Sequence, residues 1–463
     1  MTTKMAIGAK ANAKSSSAFF HSQDIFRNQH RLIRFIEQSI RLCSNQSLKA
    51  AQQQQQQQQQ LNKTQLDADF SISKSLNSEH WNAVPEPVEH DPDVGQQFYG
   101  NQLMVRLASP QQLQPKPDRD EDLIFGKQFT DHMLKIYYHK SLGGWQRPEI
   151  TPLENLVMHP AAKVLHYAVE LFEGMKAYRG VDGKIRIFRP NMNMNRMNLA
   201  AKRSGLPTFE GKEFIKCLSR LISIDSEWVP HTQAASLYIR PTLIGIDPTL
   251  GVASSDSALL YAILSPVGSY FKSDSTGAVS LLADPSYTRA WPGGVGNRKM
   301  GSNYAPTINV QKKADAKGLQ QVLWLYGENH DLTEVGTMNI FMFFINDKGE
   351  KELITPPLNG LILPGITRDS ILALARQWGQ FKVTEGTFNM PRVCELLNQG
   401  RLLELFGTGT ACLVSPINRI HYMNQDLYIP TMEQEKPVHE TIRTALTDIQ
   451  YGKVPHPWAV VIE

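Results

Sequence analysis

Arg289 to Thr307 reads RAWPGGVGNRKMGSNYAPT. One lysine, Lys299, is enclosed by Gly293, Gly294, Gly296 and Gly301 and followed by Asn303 and Tyr304. A lysine on a solvated face sits among polar helix formers, whereas glycines at this density let the backbone turn tightly and come close to a ligand. The stretch is not a phosphate loop of the Gly-Lys-[Ser/Thr] kind, because Lys299 follows Arg298. Taken alone, a Gly-rich loop is more often a surface turn, so its meaning depends on the chain around it.

That chain has 463 residues, 41% of them hydrophobic, enough to bury a large core and to form two or three domains. A formal net charge of +4, spread along the sequence, provides no basic patch for nucleic acid or an anionic membrane. No uncharged apolar run reaches the roughly 18 residues that a membrane span needs, so a soluble chain with neither partner is expected. Cys43, Cys217, Cys394 and Cys412 are too scattered for a disulfide framework or a zinc ligand set, which points to a reducing compartment. The thirteen histidines have no metal-ligand spacing, and no metal is expected.

Residues 1–80 differ in kind from the rest. They are rich in Ser, Asn and Gln, with a glutamine run from Gln52 to Gln60 that cannot form a packed core, and a disordered leader is expected. Within it, Phe26, Ile33, Ile36 and Ile40 recur at helical spacing while Arg27, Arg31, Arg34 and Arg41 gather on another face. An Arg-rich amphipathic segment of this kind describes a mitochondrial transit peptide, against which Asp24 and Glu37 count; a plain disordered tail of a cytoplasmic protein is the alternative.

The ordered chain is expected to start between Asn101 and Lys127. An α/β (α+β) fold in two domains follows, a smaller one over 101–267 and a larger one over 279–463, with a linker at 268–278. In the first, Met133 to Tyr138, Lys184 to Phe188, Tyr238 to Ile246 and Ala258 to Leu264 read as strands, and Met194 to Ser204 and Lys212 to Ile224 as helices. Pro241 should interrupt its ladder or mark an edge strand. In the second, Val322 to Tyr326 and Ile340 to Ile345 read as strands, and Pro364-Gly365 opens a helix from Ile366 to Trp378 that Gly379 stops.

Several patterns bear on chemistry. The turn into the Ile366 helix presents free N–H groups at Ile366 and Thr367 and a positive dipole end, a ready anion site or an ordinary strand-to-helix connection. Gly407-Thr408-Gly409-Thr410-Ala411 offers hydroxyls and N–H groups together, as an anion-binding turn does, although a plain turn has the same look. Arg196 can be a solvated helix residue or a phosphate clamp. Glu334, just before an apolar strand, can be a hydrated turn residue or a buried carboxylate with a cationic partner. Together these residues supply a lysine, a carboxylate and a phosphate cradle, the set that pyridoxal 5'-phosphate requires.

The chain resembles the branched-chain amino acid aminotransferases, pyridoxal-phosphate enzymes of fold type IV, from about Gly144 to near the C-terminus. The resemblance is carried by LHYAVELFEGMKAYRG (Leu165 to Gly180), FRPNMNMNRM (Phe188 to Met197), SLYIRPTLIG (Ser236 to Gly245), the Lys299 loop, EVGTMNIF (Glu334 to Phe341), LPGITR (Leu363 to Arg368) and FGTGTA (Phe406 to Ala411). It implies ping-pong transamination of leucine, isoleucine or valine with 2-oxoglutarate by a homodimer. Lys299 would bond the cofactor aldehyde and then move a proton at the substrate Cα. Glu334 would pair with the pyridine nitrogen and Tyr304 with the ring oxygen. Thr337 would also contact the cofactor, while Arg196, the N–H groups of Ile366 and Thr367, and Thr410 would hold the phosphate. Tyr167, Phe172, Tyr238, Tyr270 and Ala411 would surround the substrate, with Leu250 and Val252 arriving from a second subunit and Arg240 taking the distal carboxylate of glutamate.

Another enzyme on the same scaffold, such as a D-amino acid aminotransferase or an aminodeoxychorismate lyase, is the competing reading. One departure stands out. Animal members of the family carry Cys-x-x-Cys where this chain reads Cys412-Leu413-Val414-Ser415, so an intramolecular disulfide is not expected there.

Overall fold

The computed structural model describes residues 95–117, 123–268 and 277–462. The expected leader helix, most of the expected linker and Tyr270 lie outside them.

Alternation writes the first sheet. In His132–His139, Leu134, Ile136 and Tyr138 point into one core, as a period of two requires, while Met133 and Lys135 between them are buried as well. This ten-stranded sheet runs in the order Met104–Val105, Glu149–Pro152, His132–His139, Ser257–Val267, Ser236–Gly245, Met175–Arg179, Ile185–Phe188 and Ala459–Val461. Gly144–Trp145 is added on His132–His139, and Glu170–Phe172 on Ser236–Gly245. The helices Pro190–Ser204 and Gly211–Ile224 cover its core. The second contributes Phe214, Cys217, Leu218, Leu221 and Ile222, an apolar stripe at helical spacing.

The nine-stranded second sheet runs Asp331–Val335, Gln321–Tyr326, Val279–Ala283, Leu413–Tyr422, Leu402–Gly409, Met338–Ile345, Lys351–Thr355 and Lys382–Glu385, with Gln425–Tyr428 added on Leu413–Tyr422. Asp331–Val335 also pairs with Met338–Ile345, which closes that part of the sheet into a ring. Successive residues of Met338–Ile345 alternate between two cores. Met338, Ile340, Met342 and Phe344 face one, while Phe341 and Phe343 face the other with Ile371, Leu372, Leu374 and Ala375 of the helix Ile366–Trp378. Gly379 ends that helix at φ +63°, in the left-handed region, with its N–H on Ala375 O.

Two expectations change, and a third, at Pro241, is decided for the interrupted ladder. The start comes earlier than Asn101, since Phe98 is buried in the first core against Trp145, Phe209 and Phe214. The C-terminal segment does not stay with the second sheet, because Ala459–Val461 pairs antiparallel with Ile185–Phe188 of the first. Pro241 is not on an edge strand. It pairs with Ala262 on one side, and on the other it lies where the neighbour of Ser236–Gly245 switches from Met175–Arg179 to Glu170–Phe172. The ladder is already interrupted at that switch, so the missing N–H costs nothing there.

Candidate active site

Lys299 lies in the loop between Val279–Ala283 and the helix Thr307–Asp315, and the first sheet holds that loop in place. Phe172 N donates to Lys299 O at 3.0 Å, and Leu171 bridges Met300. Gly301 permits this approach, because a Cβ there would run into Glu170 Oε1. Asn303 Nδ2 donates to Val295 O and Arg298 O, both at 2.8 Å, which fixes the loop from within. Lys299 Nζ donates to Tyr304 OH at 3.1 Å and stands 4.7 Å from the Phe172 ring centroid. Among the described residues it has no carboxylate partner.

Glu334 belongs to a cross-strand row. It is opposite Asn339, which is opposite Thr408, so the three side chains lie on one face of the second sheet. Its Oε1 accepts from Leu363 N at 2.6 Å and from Asn339 Nδ2 at 3.5 Å, and its Oε2 is 3.1 Å from Arg289 Nη2. The Glu334 and Arg289 side chains are 2% and 5% exposed. Burial pushes the Glu334 carboxyl above its ordinary range, against the pull of Arg289, the Leu363 N–H, Lys299 and Arg196. A carboxylate under that strain is stabilised by one more cationic hydrogen-bond donor.

Arg196 reaches the start of the helix Ile366–Trp378. Its Nη1 donates to Pro364 O at 2.9 Å, while Nε and Nη2 donate to the buried Glu173 carboxylate. Burial lowers the Arg196 pKa, but the charge and hydrogen bonds of Glu173 overcome it and hold the guanidinium above its usual range. The helix N-cap is Gly365, without a capping side chain, and Ile366, Thr367 and Arg368 of the first turn are buried. A buried, uncapped helix start asks for an anion.

Phe172, Tyr238 and Arg240 form the opposite wall. The Arg240 guanidinium is 4.8 Å from the Phe172 ring centroid, and its Nη2 donates to Tyr238 OH at 3.0 Å. Phe172 also packs on Tyr304, at 4.9 Å between centroids. Lys176, opposite Tyr238 in the sheet, donates to Ala411 O at 2.8 Å and so ties the Thr410–Ala411 turn to the first sheet. Burial brings the Lys176 ammonium down to about 8. The Cys412 thiol beside it donates to Met338 Sδ at 3.0 Å, and burial pushes it above the usual thiol range.

Other expected residues are more exposed. Thr337 is exposed at a hairpin tip and Thr410 is half-buried in its turn. Tyr167 is 40% exposed and donates its hydroxyl to Leu250 O, while Leu250 and Val252 are 62% and 84% exposed on the surface. The sequence did not single out Arg289, Asn339 or Glu173. Glu173 had one visible signal, a carboxylate inside the apolar run of LFEGM, whereas the partners of Arg289 and Asn339 lie too far along the chain to be read from spacing.

Pyridoxal phosphate fits this donor set. The uncapped first turn and Arg196 can hold its phosphate, and Glu334 can hold a protonated ring nitrogen. Among the described residues Lys299 is left without a counter-ion, and Thr408 Oγ1, in the Glu334 row, is buried without a hydrogen-bond partner. No cluster of metal-ligating side chains occurs among the described residues.

The family model "Amino-transferase class IV" matches residues 170–420. The cytosolic branched-chain-amino-acid aminotransferase of Mus musculus is 53% identical over 368 residues, covering 80% of this chain and 94% of that one. The mitochondrial form of Bos taurus is 50% identical over 358 residues, covering 77% of this chain and 91% of that one. Among solved structures, the branched-chain aminotransferase of Thermoproteus uzoniensis with norvaline superposes with a TM-score of 0.57 at 24% identity, over 68% of this chain and 97% of that one. The PLP-form (holo-form) enzyme of Thermobaculum terrenum gives 0.56 at 20% identity, over 73% of this chain and 100% of that one. With a lysine, a buried carboxylate and an open helix end brought together on this scaffold, the chain belongs to the class IV aminotransferases, within them to the pyridoxal-phosphate-dependent branched-chain amino acid aminotransferases.

Proposed function

We propose that Lys299 is the catalytic residue of a reversible amino transfer between leucine, isoleucine or valine and 2-oxoglutarate, giving branched-chain 2-oxo acids and glutamate. Bound pyridoxal phosphate supplies the electron-withdrawing ring that lets the substrate Cα–H bond ionise. Lys299 Nζ would hold the cofactor by its aldehyde and, as a free amine, would move the proton at the substrate Cα. Tyr304 OH, 3.1 Å from Nζ, orients that amine and can donate to the ring oxygen. Glu334 would keep the ring nitrogen protonated; Arg196, the N–H groups of Ile366 and Thr367, and Thr410 would bind the phosphate, and Thr337 would contact the cofactor.

Phe172, Tyr238, Tyr167, Tyr270 and Ala411 accommodate the aliphatic side chain, and Arg240 takes the distal carboxylate when glutamate occupies the same pocket. Exposed Leu250 and Val252 enter the site of a second copy, making the enzyme a homodimer. The domains divide at 268–278. The relatives include cytosolic and mitochondrial forms; the Arg-rich leader favours the mitochondrion.

The observation that carries this reading is the Lys299 ammonium, without a carboxylate partner among the described residues, on the Phe172 and Tyr304 rings beside the Glu334 row. Lys299→Ala is expected to abolish transfer from leucine to 2-oxoglutarate while its melting curve stays cooperative. Multiple turnover near the wild-type rate, with no added amine, would remove Lys299 from the role.

A further inference from the structure

Glu173 is 0% exposed, and its carboxylate is fully occupied. Oε1 accepts from Arg196 Nε and Oε2 from Arg196 Nη2, both at 2.7 Å, a fork-to-fork pair. Oε2 also accepts from Asn193 Nδ2 at 2.7 Å and from Gly174 N at 3.2 Å. The main chain of the same residue is engaged as well. Its carbonyl accepts from Arg240 Nε at 3.1 Å, and its N–H donates to Pro241 O at 2.9 Å.

Electrostatics alone argues against a carboxylate here. It neutralises the arginine that faces an anion and repels the anion itself. Geometry argues for it. A free arginine loses rotamer entropy when it is fixed in one position. The Glu173 fork fixes the guanidinium in one orientation. Of the five guanidinium N–H donors, Glu173 takes two and Pro364 O a third. One donor then remains on each terminal nitrogen, beside the uncapped first turn at Ile366.

We propose that Glu173 is the positioning residue of the cofactor phosphate site: its carboxylate aims Arg196 at the phosphate, and its main chain holds Arg240 in fixed relation to it. The phosphate and the distal carboxylate of the second substrate are thereby kept at a set separation by one peptide. This rests on Arg196 as a phosphate ligand, and the test separates the two claims.

Purified full-length enzyme is stripped of cofactor, and binding of pyridoxal phosphate and of pyridoxal, which lacks the phosphate, is followed by fluorescence for wild type, Glu173→Gln and Arg196→Met. Glu173→Gln keeps the shape but replaces one acceptor with a donor. It is expected to weaken pyridoxal phosphate binding by roughly tenfold or more and to leave pyridoxal within about twofold. Should that variant not fold, Asn193→Ala, which frees one bond to Oε2 and keeps the charge pair, is expected to weaken only pyridoxal phosphate, by a few-fold. Unchanged or tighter pyridoxal phosphate binding in whichever variant folds would show Glu173 to be a mere competitor for Arg196 and overturn the proposal. An equal loss for both ligands would show a general structural role and overturn it too. Unchanged pyridoxal phosphate binding in Arg196→Met would instead refute Arg196 as the phosphate ligand.

Discussion

Lys176 is a half-buried cation whose ammonium donates to the Ala411 carbonyl, and that arrangement has a cost that depends on pH. Burial lowers its pKa from 10.5 to about 8. Between those values the unfolded chain binds the proton more often than the folded one, so stability rises with pH across that window; below about 8 the cost is present in full. Lys176→Met removes the titration. The stability of wild type relative to this variant is expected to improve by about 2 kcal/mol from pH 7 to pH 10 in denaturant unfolding. A difference independent of pH would contradict it. At this scale the sequence is legible where a residue type is scarce in its context. Lys299 among glycines and Glu334 before an apolar strand could both be read as chemistry. Their partners could not, since Arg289 and Leu363 reach Glu334, and Glu173 reaches Arg196, only through the tertiary fold.

The helix Ile366–Trp378 shows what an element contributes beyond its residues. Its apolar face packs on the second sheet, while its first turn stays open because Gly365 supplies no cap. Gly365 has φ −71°, so no backbone strain calls for glycine; the need is space, since a Cβ would collide with Asn339 Oδ1. Asn339 Nδ2 in turn donates to Leu363 O and Glu334. Gly365→Ala is therefore expected to displace Asn339, to cost about 1–3 kcal/mol in a denaturant titration, and to lower kcat. Wild-type stability and kcat together would show that Asn339 moves without consequence. The Ile366–Trp378 helix was legible from end to end, because a Pro-Gly entry and a Gly exit bracket a periodic run. Ser236–Gly245 was legible as a strand but not as an interior one: the pause at Pro241 depends on which neighbours flank it, information that lies in Glu170–Phe172 and Met175–Arg179.

Across the described residues, each sheet has a main core of its own, Phe188 and Ala459 of the first sheet pack into the core under the helix Ile366–Trp378, and the candidate site draws on both sheets. Phe172, Tyr238 and Arg240 come from the first sheet, Glu334 from the second, and Lys176 ties the first to the turn at Ala411. Six of the nineteen strands among the described residues were read from the sequence; the return of Ala459–Val461 to the first sheet left no trace in it, since three residues are too few to carry a pattern. Leu165, Leu250 and Val252 remain exposed, at 57%, 62% and 84%. If a second copy covers them, Leu250→Asp with Val252→Asp shifts sedimentation from dimer to monomer and lowers turnover. A variant that stays dimeric and fully active would exclude that interface. The central claim is the reaction itself, and it is tested most directly by incubating the purified protein with 2-oxoglutarate and, separately, L-valine or D-alanine, and measuring glutamate. L-Valine is expected to give L-glutamate with matching 3-methyl-2-oxobutanoate, and D-alanine none. Turnover of D-alanine with L-valine inert would contradict the account.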